Sequence, residues 1–439
     1  MTEPSPARRA PSVLALAVPA LVVLAAEPLY LLVDTAVVGN LGTVPLGGLA
    51  VGGGLLAWAV GLLNFLAYGT TARAARRAGA GDRTGAVSEG VQATWLALGL
   101  GLAVLLVFQL LAGPLTRTLA GGPGAVAEAG EQWLRVASLG APLLLVSLAG
   151  NGWLRGVQEL RAPVRYVLAG SLVSLVLCPL LVYPAGQGLV GSAMANVAGQ
   201  AVTATLFIRA LVREHVTWRP RPTAVRAQLV IGRDLLLRAA VLQVAFLAAA
   251  GVAARAGAVT LAAHQIALQM FLFLALVLDA YAIAAQTLVG QSLGRGSPAE
   301  ARATARRVSV WGLGTGVLIG GALLALRGVL LPLFTDDPAV VAQAEVAWWF
   351  LAGMQPLAGL VFALDGVLIG AGDVGYLRTL TIGSALVGFL PLSLLALPLG
   401  WGLAGVWTGL TVFIVLRLAG TVVRVAGDRW LTAPARVTV

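Results

Sequence analysis

Carboxylates set deep inside apolar runs are the residues here with the greatest capacity for chemistry. Of 18 acidic residues, Glu27, Asp34, Asp279 and Asp365 stand well within stretches long enough to cross a bilayer. A charged side chain at that depth costs at least ~2.5 kcal/mol, so each needs a partner or a task. A carboxyl that can exchange its charge for a proton is the simplest such task. Asp34 is the foremost candidate, and Glu27 precedes it by seven residues, two helical turns, which predicts a shared face. The competing reading makes Asp34 a polar cap at the outer membrane surface, in VDTAVVGN. Pro19 and Pro28 lie on the same segment. Each removes a backbone hydrogen bond and predicts a kink, either static or a hinge that lets Asp34 move.

The second half has its own polar set. Gln265, Asp279 and Gln286 belong to one predicted helix, the last two again seven apart, and Asp365 lies late in another. Asp365 could form a structural ion pair with Arg238, or pair with Gln243, instead of making a site. Asn64, Asn151, Ser174 and Asn196 in the first half could ligate or hydrate an ion. Each could equally be an interhelical hydrogen bond. Enzyme signatures are absent from the sequence. His215 and His264 have no partner at metal-ligand spacing, so no metal site is expected. All 29 basic residues are arginine, so no Walker lysine exists and ATP is excluded as a direct energy source. No cofactor is expected. An ion gradient remains, worth ~2.3 kcal/mol per proton at 100 mV and ~1.36 kcal/mol more per pH unit.

The elements that must position these groups follow from composition. The chain has 439 residues, 59% hydrophobic and 11% charged, where a soluble protein carries about 25% charged residues. Runs such as 96–112, 166–182 and 379–399 are nearly free of charge over the ~20 residues a helix needs to span a bilayer. They do not alternate as barrel strands would. The fold class is therefore an all-α polytopic membrane protein. Helices are predicted at 11–38, 46–72, 86–112, 124–152, 162–183, 188–209, 229–254, 259–291, 304–332, 338–370, 376–398 and 401–424. The N-terminus resembles a signal peptide, with Arg8 and Arg9 before an apolar stretch, but reads as a retained first helix.

Arginine placement tests the count of twelve. Alternate connections carry Arg8 and Arg9, Arg73 to Arg83, Arg155 to Arg165, Arg209 to Arg233, Arg295 to Arg307, Arg378, and Arg424 to Arg436. The opposite connections hold only Arg117, Arg255 and Arg327, leaving Arg135, Arg238 and Arg417 at membrane depth. The positive-inside rule then places both termini in the cytoplasm, in an inner (cell) membrane. With the bilayer as its surroundings, the net charge of +11 is no nucleic-acid footprint. Cys178, the single cysteine, excludes an internal disulfide.

The two halves repeat. Residues 62–82 align with 276–297, pairing Gly79 with Gly294 and Gly81 with Gly296 at an offset of 215. NGWLRG (151–156) pairs with DGVLIG (365–370), and GLVGSAMAN (188–196) with GLAGVWTGL (402–410), at an offset of 214. Six helices per half give a parallel repeat about an axis along the membrane normal. The expected division is an N-lobe at 1–213, a cytoplasmic linker at 214–228 and a C-lobe at 229–439, two pseudo-twofold-related six-helix lobes. Paired lobes of this kind commonly rock about a central substrate site.

With these motifs in view, the chain resembles the multidrug and toxic compound extrusion (MATE) family, in particular its DinF-like branch. The likeness runs from about 11 to 426 and is specific at VPALVVLAAEPLYLLVDTAVVGNLG (18–42), RDLLLRAAVLQVAF (233–246), LAAHQIA (261–267), LDAYAIAAQTLVGQSLG (278–294) and LDGVLIGAG (364–372). The resemblance implies a central cleft, export of amphipathic, often cationic compounds against protons or sodium, Asp34 as the ion carboxylate, and a first helix that bends as Asp34 titrates. Two departures bear on the ion. Where relatives often carry NxxLDP, this chain reads SLVLCP, with Ser174 and Cys178; where they tend to read AAEA, it reads AAQT, with Gln286. The residue near Asn196 is often Thr in the family. Losing the second acid favours a proton over sodium, which wants several hard oxygens. The expected protein is a monomeric, proton-coupled antiporter for small amphipathic molecules. A sodium-coupled exporter and a flippase for lipid-linked or polysaccharide substrates are the alternatives.

Overall fold

The computed structural model describes residues 13–432; Arg8, Arg9 and Arg436 lie outside the described residues. The chain forms twelve long apolar helices: α1 (Val13–Gly39), α2 (Thr43–Gly79), α3 (Arg83–Leu119), α4 (Ala125–Gly156), α5 (Arg161–Val182) and α6 (Gly188–Val212) in the first lobe. The second lobe has α7 (Pro222–Ala256), α8 (Ala258–Gly294), α9 (Pro298–Ala325), α10 (Pro338–Ala371), α11 (Val374–Leu395) and α12 (Gly402–Ala426). Among the described residues there is no strand. Several helices exceed the hydrocarbon thickness. At ~1.5 Å per residue, the 37 residues of α2, α3 or α8 reach far beyond ~30 Å. Arg73, Arg76 and Arg77 therefore ride on the helical end of α2, not in a loop as the sequence suggested. The expected linker at 214–228 is also shorter, because α7 is already helical from Pro222.

Lipid-facing and protein-facing sides follow helical spacing. Leu102, Leu106 and Leu110 on α3 recur every four residues and are more than half exposed, while Gly101, Phe108 and Ala112 on the same helix are buried. Asp82 caps α3 by accepting from Gly85 N at 2.7 Å, and Asp337 caps α10 by accepting from Ala339 N at 2.8 Å.

The internal repeat is written in the packing. The most enclosed spans are α4 and α10, which are repeat equivalents, each with 72% of its apolar window buried. A Cβ on Gly152 of α4 would meet Ala67 O at 2.5 Å, and one on Gly366 of α10 would meet Ala282 O at 2.2 Å. Ala67 and Ala282 are themselves 215 apart, so each lobe docks its central helix at the same register. Gly81 and Gly296, in equivalent turns, both need left-handed backbone, at φ 78° and 70°.

The apolar core shows how the lobes meet. One cluster draws on both lobes, joining Phe65, Leu66 and Ala72 to Ile283, Leu288 and Val367. Two others belong to single lobes: Leu49, Phe108 and Trp133 in the first, and Phe271, Trp348 and Phe413 in the second. The shared cluster lies in the half of the molecule whose face carries most of the arginines. Gly79 and Gly294 seal that end reciprocally: a Cβ on Gly79 would lie 2.2 Å from Gln291 O, and one on Gly294 2.1 Å from Arg76 O. The lobes are thus closed on each other at the arginine-rich end and packed separately toward the opposite one.

Candidate functional site

Two polar constellations emerge, one within the first lobe and one across the interlobe seal. The first surrounds Asp34, which is 1% exposed. Its Oδ1 accepts from Cys178 Sγ on α5 at 3.2 Å. Its Oδ2 is buried without a hydrogen-bond partner. Tyr30, one turn earlier on α1, is also buried with its Oη unpartnered, and Asn196 of α6 lies beside it. Ser192 of α6 lies beside the carboxyl and accepts from Trp133 Nε1 of α4 at 3.2 Å. Ser174 Oγ donates to Ala195 O at 3.0 Å, fastening α5 to α6 just behind this group. No arginine forms an ion pair with Asp34 among the described residues. A buried carboxyl whose neighbours are a thiol and a hydroxyl, with no cation to hold its charge, is equipped to carry a proton.

The structure therefore gathers Asp34, Cys178, Ser174 and Asn196 from the sequence candidates and adds Tyr30 and Ser192. The shared face expected for Glu27 and Asp34 is not a shared environment: Asp34 is buried, whereas Glu27 is accessible. Asn64 and Asn151 stand elsewhere. Asn64 interrupts α2, between helical segments Thr43–Leu63 and Phe65–Gly79. Asn151 is buried on α4 with its Oδ1 unpartnered. Pro19 and Pro28 lie within α1, which stays helical through both.

The second constellation joins the lobes. Tyr68 Oη of α2 donates to Asp279 Oδ2 of α8 at 2.7 Å, and Gln286 Nε2 donates to the Tyr68 carbonyl. Gln291 Nε2 donates to Gly156 O at 3.0 Å, and Arg76 Nη2 to Ala371 O at 3.2 Å. Asp365, 3% exposed, accepts from both Arg238 and Arg417 at its Oδ2. The ion pair foreseen with Arg238 is present, and Arg417 is its second member. Arg155 corrects the sequence reading. Assigned there to a connection, it is a residue of α4, 6% exposed, within electrostatic reach of Tyr68 and Asp279, and without a carboxylate at ion-pair distance among the described residues. Gln243 and Gln265 are exposed and join neither constellation. Three buried acids escaped the sequence reading, Glu89, Asp234 and Asp373, because all sit near helix ends that meet arginines; Asp373 accepts from Arg424 at 2.6 Å. Glu89 is paired bidentately by Arg73 at 2.6 and 2.9 Å, and Asp234 by Arg378 at 2.7 Å. Among the described residues no group of His, Cys, Asp and Glu could hold a metal.

Comparison with known proteins places this architecture. The MatE family profile matches residues 19–180 and 235–394, once in each lobe. Protein DETOXIFICATION 44, chloroplastic, of Arabidopsis thaliana is 33% identical over 92% of this chain and 80% of its own length. The DNA damage-inducible protein F of Escherichia coli K12 is 32% identical over 89% of this chain and 86% of its own. Among solved structures, a MOP superfamily transporter from Pyrococcus furiosus superposes with a TM-score of 0.86 at 22% identity, covering 94% of this chain and 95% of that one.

Proposed function

We propose that this chain, which belongs to the MatE family of membrane transporters, exports amphipathic, cationic small molecules in exchange for protons. It works as a monomer, without a cofactor, in the inner membrane with both termini cytoplasmic. One observation carries the choice of ion: the Asp34 carboxyl is buried, unpaired by any arginine among the described residues, and has only neutral neighbours, the Cys178 thiol at Oδ1 and the Ser192 hydroxyl beside it. A proton requires no more than that. Entering from the side opposite the arginine-rich face, it neutralises Asp34 and lets α1 draw toward α5 and α6, which narrows the first lobe and expels substrate. Deprotonation toward the arginine-rich face resets the cycle. Glu27, the accessible acid on the same helix, supplies negative charge to attract a cation.

Sodium is the second reading, and one observation favours it. Asp34 Oδ2 and Tyr30 Oη are both buried and unpartnered, with Ser192 and Asn196 close by, so several oxygens converge. Everted vesicles separate the two. A pH gradient is expected to drive export of a cationic dye, a sodium gradient at constant pH is expected not to, and Asp34→Asn should lower the acid-driven rate about tenfold or more, the scale of losing ~1.4 kcal/mol of coupling. Undiminished export by Asp34→Asn would refute the coupling role. An anionic dye belongs in the same assay, because Arg155 adds an unpaired guanidinium between the lobes. Its preferential export would reassign the substrate to the anionic, lipid-linked class.

A further inference from the structure

At the arginine-rich face, the turn between the lobes folds over a cavity of about 800 Å³ that the transport reading does not use. Its walls come from the end of α2, the first turns of α3, the segment 214–221, and the first turns of α7. The segment is held down firmly. Gln92 Oε1 accepts from Arg221 N at 2.7 Å, Gln92 Nε2 donates to Arg219 O at 3.1 Å, and Trp95 Nε1 donates to Trp218 O at 2.8 Å.

The charges around this cavity do not cancel. Three acids line it, and each has its own arginine: Glu89 with Arg73, Asp82 with Arg77, and Glu214 with Arg83. Two further lining cations, Arg221 and Arg226, have no carboxylate partner among the described residues. Uncapped backbone adds to them. The first intrahelical bond of α7 runs from Val225 N to Arg221 O at 3.0 Å, and no side chain caps the helix, so the N–H groups of Thr223 and Ala224, residues that line the cavity, have no intrahelical partner. An independent sign comes from Ser88. It lines the cavity, is only 7% exposed, and its hydroxyl bonds to nothing, although Thr94 on the same helix donates to the carbonyl four residues back.

We propose that this cavity binds a phosphate-bearing anion. Two unpaired guanidiniums, a free helix N-terminus and the Ser88 hydroxyl on the cavity wall suit an anionic tetrahedral phosphate with several acceptor oxygens. The phosphate belongs either to a soluble metabolite or to a lipid headgroup at the membrane surface. Because α2 and α3 belong to one lobe and α7 to the other, the bound group braces the lobes in the arrangement sealed at this face. Occupancy therefore slows the cycle.

Thr217, which lines the cavity, provides the probe site. In a Thr217→Cys protein the native Cys178, fully buried, stays silent to a maleimide. The full chain is kept in dodecyl maltoside, which carries no phosphate, and its alkylation rate followed with inorganic pyrophosphate, or with phosphatidylglycerol added to the micelles. Slowing by pyrophosphate supports a soluble ligand, and slowing by phosphatidylglycerol alone supports a headgroup. In either case Arg221→Ala/Arg226→Ala should weaken protection about tenfold or more, through the loss of two charge-assisted contacts. A thermal melt confirms that this variant folds. The proposal is overturned if neither phosphate source protects the introduced thiol, if sodium chloride of equal ionic strength protects as well, or if protection survives in the double variant.

Discussion

Asp365 shows what a single residue can reveal and conceal. It is a buried carboxylate in a membrane span, the kind of residue that invites a transport role, yet both its contacts are arginines, Arg238 and Arg417. Arg417 is itself 4% exposed, so removing the acid would strand two guanidiniums in the second lobe. Breaking a buried ion pair by deleting one partner costs ~3–5 kcal/mol, while replacing all members with apolar groups of similar volume is often neutral. Asp365→Asn is therefore expected to lower the midpoint of thermal unfolding markedly in detergent. Arg238→Met/Asp365→Leu/Arg417→Met should recover most of the loss. A melt of Asp365→Asn equal to that of the parent would contradict the structural role. The sequence exposed the candidacy of Asp365 and one of its partners. It could not expose the second, since Arg417 lies on a helix whose rotation no local pattern fixes. The same gap hid Tyr30 and Ser192. Tyr30 was within reach, as it stands four residues before Asp34 and so shares its face, whereas Ser192 is one of many small polar residues on a helix suited to packing.

At the scale of elements, close helix contact depends on missing side chains. Hydropathy located every span, and arginine alternation fixed their number, because both properties are averages over ~20 residues. Helix ends were less legible: α7 and α9 begin earlier than their apolar cores, on arginine-bearing turns that leave the hydrocarbon. The glycine pairs of the repeat were visible as letters, but only the structure shows that Gly79 and Gly294 face each other's helix across the seal. Gly79→Val would place its Cβ 2.2 Å from the Gln291 carbonyl, where backbone must give way. Overpacking of this kind costs ~1–3 kcal/mol, and the conformer closed at the arginine-rich end bears all of it. Opening there should rise by about tenfold. Thr287→Cys, buried on α8 in this closed state at 1% exposure, reports the change. Its alkylation is expected to accelerate in the Gly79→Val background, and an unchanged rate would show that the two helices part elsewhere.

Over the whole molecule, the arrangement of cores and seals carries the transport argument. Apolar contacts shared between lobes, together with the bonds from Tyr68, Gln286, Gln291 and Arg76, gather at the arginine-rich end. Toward the other end each lobe has its own core. A cleft that opens on one side must close there and open on the other if a substrate is to cross, so this seal has to break once per cycle. Ala75 and Gly290 offer a way to prevent that. A Cβ built at Gly290 lies 3.0 Å from Ala75 Cβ across the lobe boundary, about half an ångström closer than the range a disulfide uses, so the helices must part slightly to admit the bond. Ala75→Cys/Gly290→Cys is therefore expected to form the bond under an added oxidant, while the buried Cys178 takes no part. The cross-linked protein is expected to bind substrate from the open side yet to export at less than about a tenth of the reduced rate, and a thiol reductant should restore it. Full export by the cross-linked form would mean that substrate passes without separation of α2 from α8, and the rocking of two rigid lobes would have to be abandoned.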